Sequence, residues 1–297
     1  MGIVTHHVES PLGSWTLSRW SPPHLASLVE GFWYFEGATT FARERNFPNG
    51  MFELIVHFGD PYRVIEGDWT GRCSTACFGG LQASSWVVEA PASSPPVLGV
   101  RLHPAGAYAL LATPLSEVSG LTVDLQDLAG RAAEELIERC HGAVSAGERL
   151  HRAADWVTQR VARFPGVDPA IAWIAEQIER EEGAVSISEL RERAGFSKTR
   201  LVNAFRAQIG ATPKQYARIL RFRRALAMVN AGADSLAGVA LAAGYYDQPH
   251  MNAEFRELSG FSPREFLAAR RYPESVSVAE PPPDPGTFFQ DPGAGAA

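Results

Sequence analysis

The sequence predicts an α+β multidomain chain. A β-rich N-terminal domain, sandwich- or barrel-like, is followed by a helical linker and an all-α C-terminal domain in which one two-helix unit occurs twice around a long helix. Three observations predict this. All seven tryptophans lie at or before Trp173, and five of them fall within the first 86 residues. Apolar residues come in short, turn-broken runs up to about residue 125 and at steps of three to four thereafter. Charge is divided as well: residues 184–273 carry 14 Lys and Arg against 7 Asp and Glu, leaving −13 for the rest of a chain whose total is −6. The total argues against a polyanionic partner, and its distribution argues for one.

The first domain, 1–125, rests on strand-like runs. Phe52-Glu53-Leu54-Ile55-Val56-His57-Phe58 is β-prone and is ended by Gly59-Asp60-Pro61. Shorter runs follow at Arg63–Ile65, Ser85–Val88 and Val97–Leu102, separated by Gly, Pro and Ser, the pattern of a small sandwich or barrel. From Leu125 the period changes. Leu128, Ala132, Leu136, Ile137 and Cys140 stripe one helix, and a second is expected over 146–164. These helices form the expected linker, 126–165, which Phe164-Pro165-Gly166 stops.

Beyond that boundary, 166–272 reads as wholly helical. Ile171, Ile174, Ala175 and Ile178 make one stripe. Ser186-Ile187-Ser188-Glu189 has capping-box spacing ahead of Leu190 and Ala194. Gly195 would stop that helix, Phe196 would fill the turn, and Ser197 would cap a helix carrying Leu201 and Phe205 inward. A longer helix is expected from Lys214 to Val229. The arrangement then recurs: Leu236, Val239, Ala240 and Ala243, a stop at Gly244, a turn filled by Tyr245 and Tyr246, and a helix capped by Asp247 that buries Met251 and Phe255. The tail 273–297, with Pro281-Pro282-Pro283 and Gly-Ala repeats, has too little apolar content to fold and is expected to be disordered.

Composition excludes several classes. Three cysteines, an odd count, do not make a disulfide framework, and no run of about 18 apolar residues offers a membrane span. The opening MGIVTHHVESPLG lacks the basic and apolar regions of a secretion signal, so the expected compartment is the cytoplasm, with no membrane partner. His57 and His103 lack a paired H-x-H, and Cys73-x3-Cys77 supplies too few zinc ligands, so no metal site is expected. The G-x-S-x-G, H-E-x-x-H, Walker and G-x-G-x-x-G signatures are absent, so the sequence predicts no catalytic residues, no cofactor and no enzyme. An enzyme with a catalytic β-rich domain and a DNA-binding appendage is the alternative reading.

The repeated unit has helix-turn-helix spacing, because glycine permits the sharp turn and the following aromatic wedges the helix pair. The outer face of each second helix is then free to enter a major groove. Between Glu192 and Asp234 the chain has no acidic residue and nine basic ones, the charge that phosphate neutralisation needs.

On these residues the chain resembles the DNA-binding domain of AraC/XylS-type bacterial transcription regulators over about 168–271. The resemblance is carried by Ser186-Ile-Ser-Glu-Leu, Ala194-Gly-Phe-Ser-Lys-Thr-Arg-Leu, Gly210-Ala-Thr-Pro, Leu220-Arg-Phe-Arg-Arg-Ala, Ala243-Gly-Tyr-Tyr-Asp-Gln-Pro-His and Gly260-Phe-Ser-Pro-Arg-Glu-Phe. It implies two helix-turn-helix units reading adjacent major-groove segments of double-stranded DNA. Thr199, Val202 and Asn203 match the base-reading positions, with Lys198, Arg200 and Arg206 on phosphates. In the second unit the corresponding face offers Gln248, Pro249, His250, Asn252, Ala253 and Arg256. That unit is poorly basic, since Asp247, Glu254, Glu257 and Glu265 offset Arg256 and Arg264.

The N-terminal part, through Arg45-Asn-Phe-Pro-Asn-Gly and Gly99-Val-Arg-Leu-His-Pro-Ala-Gly-Ala-Tyr, resembles the sensor domain of some such regulators. The resemblance implies an unidentified small-molecule effector or a dimer interface, with RNA polymerase and a second copy of the chain as further partners. Trp33, Phe58, Trp69 and Trp86 are the aromatic candidates for an effector pocket, core packing being their other reading.

Overall fold

A computed structural model describes residues 2–41, 43–66, 69–72, 74–164, 166–269 and 289–290. The chain divides into two compact units. One holds Met1–Arg43, Met51–Leu81 and Val88–Val167; the other holds Glu44–Gly50, Gln82–Val87 and Asp168–Ala297.

Ten strands come first: β1 (Val4–Ser10), β2 (Gly13–Trp20), β3 (Val29–Thr39), β4 (Arg43–Asn46), β5 (Phe52–His57), β6 (Arg63–Glu66), β7 (Trp69–Arg72), β8 (Ala76–Gly79), β9 (Trp86–Glu89) and β10 (Val97–Leu102). Helix α1 (Pro104–Leu111), strand β11 (Thr122–Asp124) and helices α2 (Leu125–Ala129), α3 (Arg131–His141) and α4 (Ala146–Val161) belong to the first unit, which also holds these strands except β4 beyond Arg43 and the Trp86–Val87 part of β9. Its main sheet runs β1-β2-β3-β10-β5-β8-β11, and every neighbouring pair is antiparallel. Alternation along β3 and β5 turns Phe32, Tyr34, Phe52, Leu54 and Val56 into a core that Leu98, Val100 and Leu102 of β10 share.

Sequence reading missed the meander β1–β3, which holds one end of this sheet. Its glycines hide it, because glycine weakens a strand pattern. Here they are needed for close approach: at Gly37, with φ +129°, a Cβ would stand 2.4 Å from the Ser14 carbonyl oxygen across the β2–β3 pair.

The expected linker 126–165 packs into the first unit instead of spanning between domains. Helix α3 buries Ala133, Leu136 and Cys140, and α4 buries Leu150, Ala153, Ala154, Trp156 and Val157. Trp156 Nε1 donates to the Ala132 carbonyl at 2.9 Å. An apolar stripe that long must be covered, and the two helices cover each other.

The second unit is helical: α5 (Pro169–Arg180), α6 (Ile187–Arg193), α7 (Lys198–Ile209), α8 (Pro213–Asn230), α9 (Leu236–Ala242), α10 (Gln248–Ser259) and α11 (Pro263–Ala269). The expectation of disorder over 273–297 falls outside the described residues, apart from Phe289–Gln290.

Candidate nucleic-acid interface

Each helix-turn-helix unit is built by the same local devices. Ser186 Oγ accepts from the Glu189 amide to start α6, and Ser235 Oγ accepts from the Gly238 amide to start α9. The turns run through Gly195 at φ +70° and Gly244 at φ +80°. Phe196 and Tyr245 come next, both buried. Ser197 and Asp247 then cap α7 and α10, accepting from the Arg200 and His250 amides at 3.3 and 2.8 Å. The second helices end alike, on Gly210 and Gly260 at φ +86° and +84°.

The two turn glycines differ in their surroundings. A Cβ at Gly195 meets nothing within 4 Å, whereas one at Gly244 would stand 2.6 Å from the Ala184 Cβ. Gly195→Ala carries only the left-handed backbone penalty, about 1 kcal/mol. Gly244→Ala adds a steric clash and should cost about 2–3 kcal/mol. Thermal unfolding of both full-length variants checks the order; equal losses would contradict it.

Leu201, Phe205 and Ile209 anchor α7, and Met251, Phe255 and Leu258 anchor α10. The opposite faces carry the residues singled out from sequence. Lys198, Thr199, Arg200, Asn203 and Arg206 are exposed, and Val202 is half-buried. On α10, Pro249, His250, Ala253 and Arg256 are exposed, with Gln248 and Asn252 half-buried. Asn252 Oδ1 is shut from solvent without a hydrogen-bond partner among the described residues. Of the two tyrosines expected to fill the second turn, only Tyr245 does so; Tyr246 stands 90% exposed beside the start of α10. Sequence reading missed it, because adjacent residues cannot both face one wedge position.

Charge separates the two helices. Among the described residues Lys198 and Arg206 have no ion-pair partner, and Arg200 lies over the Phe196 ring at 4.9 Å with its charge uncompensated. The arginines of α8, counted from sequence with the same basic stretch, are engaged inside the unit. Arg218 bonds Glu254 at 3.0 Å and Glu257 at 2.8 Å. Arg221 reaches Glu254 at 3.4 Å, Arg224 pairs with Glu182 at 2.6 Å, and Arg223 donates to the Asn49 carbonyl at 3.1 Å. The α10 glutamates that weaken its basicity on paper therefore face α8. Arg256 is paired too: it meets Glu265 at 2.7 Å. The Ser262 amide, Arg256 and the Ser262 hydroxyl hold that carboxyl down at about 2, so it stays ionised at any working pH.

Arg218→Ala therefore separates internal from external charge. It leaves the part-buried Glu254 short of a partner and should cost about 1–3 kcal/mol of stability. The salt dependence of DNA binding should not change. A shallower slope in salt-titrated anisotropy would show that Arg218 contacts phosphate.

The four aromatic candidates for an effector pocket are not assembled in one unit. Trp33 lies across Gly99, where a Cβ would stand 2.1 Å from its ring, and packs beside Trp15, Leu17 and Phe35. Phe58 meets Tyr34 edge-on at 5.7 Å and His141 at 4.9 Å, with the Arg149 guanidinium 4.3 Å above its ring. Trp86 belongs to Gln82–Val87, in the second unit. Trp69 stands in β7, its side chain outside the described residues. His57 of the same unit as Phe58 is buried, bonds the Ser74 carbonyl at 3.0 Å, and has its pKa lowered by burial.

Two family models match separate parts of the chain. Residues 190–269 match a helix-turn-helix domain family, and residues 20–124 match a domain of unknown function, DUF6597. The HTH-type transcriptional activator RhaS of Escherichia fergusonii is 30% identical over 100 residues, 34% of this chain and 35% of its own. The HTH-type transcriptional regulator ArgR of Pseudomonas aeruginosa is 26% identical over 151 residues, 46% of this chain and 44% of its own. A Streptomyces antibioticus protein described as an AraC-like transcription regulator is 26% identical over 137 residues, 46% of this chain and 40% of its own. The chain thus spans less than half the length of each of these relatives. With two glycine turns, matched caps and these similarities, the chain carries a C-terminal helix-turn-helix domain of the AraC type.

Proposed function

We propose that this chain is a sequence-specific, DNA-binding transcription regulator of the cytoplasm. The observation that carries the reading is the pair of equivalent units, each presenting one polar helix face, with uncompensated cations concentrated on α7. Lys198, Arg200 and Arg206 hold phosphates, while Thr199, Val202 and Asn203 read base edges; an Asn can pair bidentately with adenine, and Thr and Val suit a thymine methyl. On α10 Gln248 is the leading base reader, and Pro249, His250, Asn252, Ala253 and Arg256 complete its face. The relatives are all described as transcription regulators or activators, which favours this reading over an enzyme with a DNA-binding appendage.

The β-rich unit receives a small-molecule effector in this reading, and RNA polymerase and a second copy of the chain are the further partners. Control requires an effector with different affinity for two states of the protein. Phe58 is the best placed of the aromatic candidates, because Arg149 supplies a cation at its face.

Selection of duplexes from a randomised pool by the full-length chain tests the proposal. An enriched two-part motif supports it, and no enrichment over input sinks it. On the enriched duplex, Arg200→Ala should weaken binding about fivefold, the worth of one neutralised phosphate near physiological salt. Arg256→Ala, whose charge Glu265 already meets, should weaken it less. The reverse order in salt-titrated gel shifts would contradict the charge assignment.

A further inference from the structure

The second helix-turn-helix unit is not closed by the C-terminal sequence alone. Phe47 is 3% exposed and sits in the same apolar cluster as Phe222 of α8, Met251, Phe255 and Leu258 of α10, and Phe266 of α11. Its ring lies 6.5 Å from Phe222 and 5.8 Å from Phe266. Those two rings are the ones that flank Phe255, at 5.1 and 5.9 Å. Phe47 therefore braces both neighbours of the side chain that seats α10. The residues around it are fitted as closely: at Gly50, φ +81°, a Cβ would stand 3.0 Å from Leu220 Cδ2, and Arg223 ties down the Asn49 carbonyl.

A second contact holds the far end of α10. Ser85 Oγ donates to the Ser259 carbonyl at 3.0 Å and accepts from Arg45 Nη1 at 3.2 Å. The Arg45 guanidinium lies 5.4 Å from the centre of the Phe261 ring, just past the Gly260 stop. The end of the helix is thus gripped where its last carbonyls would otherwise lack partners.

We propose that Phe47, Arg45 and Ser85, drawn from the N-terminal half of the sequence, are positioning residues for the second recognition helix. The inference rests on the DNA-binding reading above and adds a specific dependency to it. Glu44–Gly50 and Gln82–Val87 are two insertions that leave the first unit's chain and return to it, so the backbone passes between the units five times. The first helix-turn-helix unit sets its aromatic contact, Phe205 against Tyr216 at 6.0 Å, from its own stretch of chain. The second borrows its brace from residues bonded directly to β3–β5 and β8–β10. A change that pulls on those four junctions acts first on the seat of α10, whereas the first helix-turn-helix unit meets these segments where Gly50 lies against Leu220 and Tyr216.

The test uses full-length protein on the duplex that the wild type selects, read by hydroxyl-radical footprinting, anisotropy and circular dichroism. Phe47→Ala should keep protection of the groove segment read by α7 and lose protection of the other. Overall affinity should fall about tenfold or more, the scale of one to three lost base-pair contacts. Phe47→Leu should restore most of both readouts, because it refills the space. Ser85→Ala, which removes one hydrogen bond and leaves the core intact, should weaken the same segment about two- to fivefold. A wild-type footprint for Phe47→Ala would overturn the proposal, as would equal loss over both segments with an unchanged helical spectrum. Should Phe47→Ala not fold, unchanged protection with Ser85→Ala overturns it alone. A wild-type protein that protects no segment instead refutes the DNA-binding reading itself.

Discussion

Replacing Lys198, Arg200 and Arg206 together by alanine should lower affinity for the selected duplex about a hundredfold at physiological salt. The magnitude comes from counterion release. Each neutralised phosphate contributes a slope of about 0.9 in log affinity against log salt, hence about 0.7 log unit near 0.15 M. Three add to about two log units, and the slope itself should become shallower by about 2.7. Folding should be untouched, because all three residues are exposed and none has an ion-pair partner among the described residues. Anisotropy titrations across a salt series measure both quantities. A loss of affinity with an unchanged slope would mean that these residues act through structure rather than phosphate. The comparison with Arg218 sharpens the test: it carries the same formal charge in the same acid-free stretch, and its removal should leave the slope as it was.

Phe255→Ala should produce the largest loss of stability, about 3–5 kcal/mol. Phe255 is fully buried and lies between Phe222 and Phe266, so truncation removes two ring contacts and leaves a cavity between three helices. The equivalent Phe205 in the first helix-turn-helix unit is also fully buried but has, among the described residues, one ring partner, Tyr216. Calorimetry of the full-length variant should therefore show a lowered transition for the helical unit, with the β-rich unit little changed. A loss below about 1 kcal/mol would mean that the site collapses around the gap, and that the aromatic stack does not hold α10 in place.

The parts of the molecule legible in the sequence were those fixed by near neighbours along the chain. Gly195 and Gly244 need positive φ, Ser197 and Asp247 cap the helices they precede, and Leu201/Phe205 and Met251/Phe255 sit four apart on a buried face. All these relations close within a few residues. The helix faces on which the twelve proposed DNA contacts lie were readable for the same reason, since a helix face is set by its buried side.

The parts that were not legible depend on partners far away in sequence. The acid-free run from Arg193 to Arg224 reads as one basic surface until α8 is seen to lie against the carboxylates of Glu182, Glu254 and Glu257. Arg45-Asn-Phe-Pro-Asn-Gly reads as part of the β-rich half, yet Phe47 fills a helical core about 175 residues on. The helices of 126–165 read as a linker because periodicity shows that a stripe must be covered and not by what. Strands β1–β3 were hidden by glycines whose value lies in contact across the sheet.

The most direct test of the central claim is the ratio of affinities for the selected duplex and a scrambled duplex of equal length, measured with the full-length chain near physiological salt. Two base-reading helix faces predict a ratio of about a thousand or more, with a steep salt dependence common to both duplexes. A ratio near one on every duplex recovered from the selection would contradict sequence-specific recognition by α7 and α10.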